Sequence, residues 1–474
     1  MPHLLRPVPL FASATLLGAL WCLAPAEGQK PSSEAKAHFV GNSACIDCHA
    51  GEYLLWRGSH HDRAMDVAND TTVLGNFADA TFAGNGKTSR FYRKGAEFWV
   101  HTEGPDGEDG DFQITHTFGF EPLQQYLVAF PGGRFQCLPI AWDMRKKEWF
   151  HLRAQNPVEP DDWLHWTRPA GNWNGMCASC HSTDLNKGYD FETETYDTTW
   201  FGMDVGCESC HGPASDHLAW AQESPEARAA DRTLGLQQRT SKITPRAQVE
   251  LCARCHSRRL ELADFEHPGG DMLDSFIPDL LNEGEYFADG QILDEVYVYG
   301  SFVQSRMYKE GVHCANCHEV HSGTLRAQGN ALCLQCHKPT YDSPEHHHHS
   351  PFTGTPAAPR TPPIDGTQCV SCHMGGRTYM GLDYRLDHSM RIPRPDLSVS
   401  LGLPNTCNAC HSDKDAQWAR DKVVEWYGEE RPQHFAPTIA AGRRMEAGAD
   451  AALAGLIADG NQPAIVRATA IVLL

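Results

Sequence analysis

The sequence predicts a mainly α and irregular chain, interrupted by one antiparallel β-rich insertion and closed by an α-helical repeat segment. Three observations predict it. Eight copies of Cys-x-x-Cys-His begin at Cys45, Cys177, Cys207, Cys252, Cys314, Cys333, Cys369 and Cys407. The stretch between the first two copies alternates aromatic runs with turn residues. Beyond the last copy the chain becomes Ala-rich, with apolar residues at helical spacing.

The pentapeptide is the attachment signature of c-type haem. Its two thiols add to the two vinyl groups of one porphyrin, and the adjacent histidine becomes the proximal iron ligand. The attachment residues are then Cys45, Cys48 and His49; Cys177, Cys180 and His181; Cys207, Cys210 and His211; Cys252, Cys255 and His256. They continue with Cys314, Cys317 and His318; Cys333, Cys336 and His337; Cys369, Cys372 and His373; Cys407, Cys410 and His411. Zinc ribbons would pair such motifs and leave the eight histidines idle. A thioredoxin-like motif occurs once, in a βαβ setting. Eight covalently bound haem c groups are therefore expected, using sixteen of the 18 cysteines.

The elements follow in order. Residues 1–26 read as a signal peptide: Arg6, an apolar run from Leu10 to Ala24, then Ala24-Pro25-Ala26 as a cleavage site. Cys22 lies in that run and would leave with it. Residues 27–66 carry the first motif. Residues 67–165 are expected as the haem-free β-rich insertion, from three hairpin signals. Phe91 to His101 breaks at Lys-Gly, Gln125 to Trp142 reads strand, Pro-Gly-Gly turn, strand, and Trp142 to His151 brackets a charged turn. Cys137 reads as a buried, inert thiol there. Residues 166–430 form the expected seven-haem core, with about 34 residues per motif. So little polypeptide cannot build an ordinary core, so the porphyrins must supply buried apolar surface. Short helices and long loops should result. Asp415 to Trp426 reads as an amphipathic helix. Residues 438–474 read as the start of a HEAT- or TPR-like region, with helices at Ala451–Ala458 and Ala464–Leu474. The helical pattern is still running at Leu474, as in a truncated chain. This segment is expected to pack weakly on the rest.

Each iron also calls for a sixth ligand or an open face. The candidates are His60 or His61, His165, His217, His321, the run His346–His349 (with His346, His347 and His349 foremost) and His388. His217 and His321 stand too close to their own motif histidines to reach the far face of the same haem. They would serve a neighbouring haem, which requires the haems to pack closely. His116 and His151 are weaker candidates. Met65, Met307 and Met390 are alternative sulfur ligands that would raise a potential.

The formal net charge of −20 argues against a nucleic-acid partner, which calls for a basic stripe. No run after residue 26 has 18 consecutive apolar residues, so no membrane span is expected in the mature chain.

Several segments carry a family resemblance. They are Trp56 to Asp62, Pro122 to Leu127, Phe130 to Arg134, Asp162 to Thr167, Asn172 to Cys177 and Arg391 to Asp396. With the motifs, they resemble the bacterial multihaem cytochromes c that end in tetratricopeptide or HEAT-type repeats. The resemblance implies an exported multihaem cytochrome c fold organised around eight haems. The pair from Cys369 to His373 and Cys407 to His411, with Asp387-His388 between, is similar to the last two haems of ammonia-forming nitrite reductases. That likeness implies a haem-ligand role for His388. Eight motifs are also similar in number to octahaem hydroxylamine oxidoreductase and the octahaem nitrite or tetrathionate reductases. The chain has no Cys-x-x-Cys-Lys, the catalytic attachment motif of the pentahaem reductases.

The expected function is periplasmic or extracellular electron transfer through closely packed bis-histidine haems. Redox proteins would be the partners, with a further protein docking on the repeats. The alternative is an oxidoreductase acting on a small nitrogen or sulfur compound, such as nitrite, hydroxylamine or tetrathionate, at one five-coordinate haem.

Overall fold

The computed structural model describes residues 37–154, 157–230, 233–262, 270–351 and 365–474. The expected signal peptide lies outside the described residues.

The motif-poor stretch folds into a nine-stranded antiparallel sheet. Its strands are β1 (Met65–Val67), β2 (Ala80–Gly84), β3 (Lys87–Lys94), β4 (Glu97–Glu103), β5 (Asp109–Phe118), β6 (Leu123–Phe130), β7 (Arg134–Cys137), β8 (Ile140–Asp143) and β9 (Glu148–His151). The order is β2-β3-β4-β5-β6-β8-β9, with β1 on β5 and β7 on β6. The Lys-Gly turn joins β3 to β4, with Gly95 at φ +62°. The Pro-Gly-Gly turn joins β6 to β7. Gly133 is required there: its φ is +70°, and a Cβ would collide with the Tyr196 carbonyl.

One expected strand is split. The run from Arg134 to Trp142 forms two strands, β7 and β8, broken at Leu138-Pro139. Pro139 has no N–H to give the ladder. The chain steps there, and β8 pairs with β6 through Leu123 and Gln124 instead.

Alternation sets the core. β4 buries Phe98, Val100 and Thr102 on one face. Phe77, Phe91, Tyr126, Trp149 and Trp166 fill the inside of the sheet. Phe91 and Trp149 stack with ring centres 3.6 Å apart. β6 is buried from Leu123 to Val128 because it is covered on both faces. Its second face joins a smaller cluster of Met65, Phe118, Leu127, Trp173 and Ala178, beside the second motif.

From Trp173 onward regular structure is short. Helices Cys207–His211, Cys314–Cys317, Cys369–His373 and Thr406–Cys410 have four or five residues.

Longer helices return at Ala416–Tyr427, Ala436–Arg443, Ala449–Ala458 and Ala464–Leu473. Asp415 caps the first, accepting from the Trp418 N–H at 2.8 Å. The helix at Ala436–Arg443 begins ahead of the expected boundary. The expected weak packing of 438–474 is corrected. Ile439, Leu453, Ile465, Val466 and Ala470 share one buried cluster with Leu281, Tyr286, Ile292 and Val296. Arg443 donates to the carbonyls of Tyr286 and Leu281 at 3.0 and 2.7 Å. Thr469 Oγ1 accepts from the Leu281 N–H at 3.1 Å. Residues of a free-standing repeat would have turned these apolar side chains toward one another alone. Here the segment between the fourth and fifth motifs completes their core.

Among the described residues no helix is long and apolar enough to cross a membrane.

Candidate functional site

Each motif is wound so that its chemistry faces one way. The motif histidine N–H donates to the first cysteine carbonyl in five motifs: His49 to Cys45 at 2.9 Å, His256 to Cys252 at 2.9 Å, His318 to Cys314 at 2.9 Å, His337 to Cys333 at 3.0 Å and His411 to Cys407 at 2.8 Å. That is one helical turn. Positions i, i+3 and i+4 then share a face, which brings two thiols and one imidazole together. All seventeen described cysteines are free thiols.

The histidines come in facing pairs rather than clusters; among the described residues no three metal-ligating side chains converge. His49 faces His217 with ring centres 6.2 Å apart. His61 faces His256 at 6.3 Å. His346 faces His373 at 6.3 Å with planes 6° apart. His349 faces His411 at 6.2 Å. These spacings are too long for stacking contact and suit an interposed ion. With a metal–imidazole bond of about 2.0–2.1 Å on each side and about 1.2 Å from ring centre to nitrogen, two imidazoles on opposite sides of one ion would have centres about 6.4–6.6 Å apart, close to these spacings. His49 with His217, His61 with His256, His346 with His373 and His349 with His411 would each be able to hold an iron between them.

Two further motif histidines have a second histidine within electrostatic reach. His211 feels His321 first among its charged neighbours, and His388 feels His318. His217 and His321 are thus placed toward motifs other than the ones they follow.

Several of these rings are held at Nδ1. A carbonyl can only accept, so Nδ1 carries the proton and Nε2 is left for a metal. His373 donates to Arg391 O at 2.8 Å, His217 to Leu234 O at 2.7 Å and His388 to Leu386 O at 3.0 Å. His181 donates to Ala64 O at 3.2 Å, His318 to Gly323 O at 3.4 Å, and His349 to His347 O. Burial, with like charge from neighbouring histidines second, pushes both His211 and His256 down to about 4. These imidazoles stay neutral at ordinary pH, the form that binds a metal.

The other expected ligands are placed differently. His60 is exposed and stacks on Phe120 at 4.9 Å. His165 is buried against Thr167, with Nδ1 to Oγ1 at 2.8 Å, and near Glu103. His347 accepts from the His349 N–H at 3.2 Å. The His181 ring meets Phe118 at 5.7 Å, and the His337 ring meets Tyr341 at 6.3 Å. Cys137 stands beside Cys177, and that contact, with burial second, holds its thiol up.

Sequence reasoning missed the residues that fix these positions. Glu208, inside the third motif, is buried and accepts from the N–H groups of Val40, Gly41 and Ala214 at 2.8–3.1 Å. It ties the segment before the first motif to the third. Nothing in a variable motif position signals this. The Leu234 and Arg391 carbonyls were equally invisible, since any residue supplies a carbonyl.

Two family models match parts of the chain. The family described as "Doubled CXXCH motif" matches residues 307–341, around the fifth and sixth motifs. "Cytochrome c554 and c-prime" matches residues 150–212, around the second and third. No curated protein sequence matches. In the crystal structure of Outer Cell Wall Cytochrome OcwA, a chain 17% identical shares this fold with a TM-score of 0.54, covering 91% of this chain and 93% of that one. An undecaheme cytochrome from the S-layer of Carboxydothermus ferrireducens aligns at 16% identity and a TM-score of 0.38, over 92% of this chain and 68% of that one. The chain thus carries c-type cytochrome motifs over residues 150–212 and 307–341 and shares the fold of a multihaem cell-wall cytochrome.

Proposed function

We propose that the chain is an octahaem electron-transfer protein working outside the cytoplasm, exported through residues 1–26. The facing histidines carry the reading. Four pairs stand at 6.2–6.3 Å, close to the separation that two imidazoles on opposite sides of one metal ion would have. The thiols of each motif would hold the porphyrin covalently. His49 and His217, His256 and His61, His373 and His346, and His411 and His349 would hold four irons from both faces. His211 with His321 and His318 with His388 would hold two more. His181 and His337 would each hold an iron from the proximal side. Bound haem supplies a one-electron iron couple tuned by its axial ligands.

The protein's own part is to fix those ligands. Nδ1 hydrogen bonds set the tautomers and ring planes. Burial, with neighbouring histidines second, keeps His211 and His256 neutral. The kinship in fold with a cell-wall cytochrome supports a place outside the cell membrane, and redox proteins are the fitting partners.

Intact-mass measurement on the purified protein should give eight haems, and electron paramagnetic resonance of the oxidised protein should show at least six low-spin irons. Six or fewer haems, or a spectrum dominated by high-spin iron that binds carbon monoxide on reduction, would overturn the reading.

A further inference from the structure

The motif thiols touch across motifs, and the pattern of those contacts is not the order of the sequence. Cys45 of the first motif meets Cys207 of the third. The Cys207 N–H also donates to the side-chain Oδ1 of Asn42, three residues before the first motif, at 2.9 Å, which ties the two segments together. Cys210 of the third lies near Cys252 and Cys255 of the fourth. Cys252 meets Cys314 of the fifth, where helix Cys314–Cys317 packs on helix Pro245–Ala253. Cys317 lies near Cys336 of the sixth. Cys333 meets Cys369 of the seventh, whose N–H donates to Asn330 at 2.9 Å. Helix Cys369–His373 then packs on Thr406–Cys410 of the eighth, with Cys372 near Cys407.

The second motif stands aside. Its Cys180 lies 3.8 Å from the Cys255 carbonyl of the fourth motif and meets the Cys255 thiol. Its Cys177 turns the other way, against Cys137 of β7. There the cluster of Met65, Phe118, Leu127 and Trp173 closes over it. That side is the haem-free sheet and offers no further motif.

We propose that the eight haem sites form one line, running first, third, fourth, fifth, sixth, seventh, eighth, with the second as a side branch on the fourth. The proposal rests on the reading that every motif holds a haem. Electrons crossing from the first site to the eighth then pass the fourth and never need the second. Among the described residues the second motif's thiols meet those of no other motif but the fourth, although Thr183, just past His181, hydrogen-bonds Ser209 of the third at 2.7 Å, so the second serves as a store or a terminal station rather than a link. The exposed motif cysteines are Cys48, Cys336 and Cys410, in the two end sites and the sixth. Both ends of the line thus meet solvent, as entry and exit points require, and the sixth site is a further exposed point along it.

Iron positions test this directly. The full haem-loaded chain is crystallised and its irons located by anomalous scattering at the iron edge. The expected result is that the second motif's iron has the fourth's as its one close neighbour, and that the first motif's iron has the third's. An iron of the second motif lying between those of the first and third would overturn the branch while leaving electron transfer intact. Irons present but walled off from one another by polypeptide would overturn the line and the electron-transfer reading together.

Discussion

His60 and His61 are adjacent, yet the structure gives them opposite fates, and replacing each by alanine separates them. The carbonyl of His61 accepts from Ala64 and Val205 at 3.3 and 3.1 Å, so its backbone is pinned. Its ring stands 6.3 Å from that of His256, the proximal residue of the fourth motif. His60 lies outside, on Phe120, which also carries Arg63 at 5.3 Å. His61→Ala should convert one iron from low spin to high spin, about one-eighth of the total iron for eight motifs. Free imidazole is the size of the lost ring and should restore the low-spin signal on titration. His60→Ala removes only a stacked pair, worth about 0.5–1.5 kcal/mol of stability, and should leave every iron unchanged. Electron paramagnetic resonance of the oxidised variants reads both. A new high-spin signal in His60→Ala, or none in His61→Ala, would refute the assignment.

Other outcomes follow from burial. Leu453 is fully buried among Leu281, Tyr286 and Ile439, so Leu453→Ala should cost about 2–5 kcal/mol. Thermal unfolding should show the loss while the haem spectrum of the folded protein stays constant. Burial first, then the charge of Asp62, pushes Asp204 up to about 6. Its contribution to stability is therefore whole below the unfolded value of about 3.9 and is lost as pH rises toward 6. The full shift corresponds to about 3 kcal/mol, which partial exposure reduces to about 1–2 kcal/mol. Asp204→Asn should flatten the stability profile between pH 4 and 6, measured by denaturant unfolding. Cys137→Ala should leave the haem count by mass unaltered, because Cys137 belongs to no motif.

What the sequence could reveal depended on whether the signal was local. The Cys-x-x-Cys-His turn is closed by one backbone bond within five residues, and its attachment chemistry was readable at once. The hairpins of β3–β4 and β8–β9 were equally local, each announced by its turn. Pro139 marked a break that the aromatic run around it hid. The facing histidines were beyond reach because each pair joins distant segments. Composition offered His60 and His61 alike, and only the packing of Phe120 against one distinguishes them. His165 read as a ligand from its proximity to the second motif, yet Thr167 and Glu103 occupy it. The docking of the last helices on Leu281 and Tyr286 was hidden for the same reason: neither partner shows an apolar face that names the other.

The clasp between the first and third motifs has a consequence for how the molecule is made. Polypeptides emerge amino end first. His49 is available early, whereas His217 and the Glu208 carboxylate that grips Val40 and Gly41 arrive only after the whole sheet has been synthesised. Until then, a haem attached at the first motif would lack the histidine that faces His49, so the order of synthesis separates the start of this site from its completion by the whole length of the sheet.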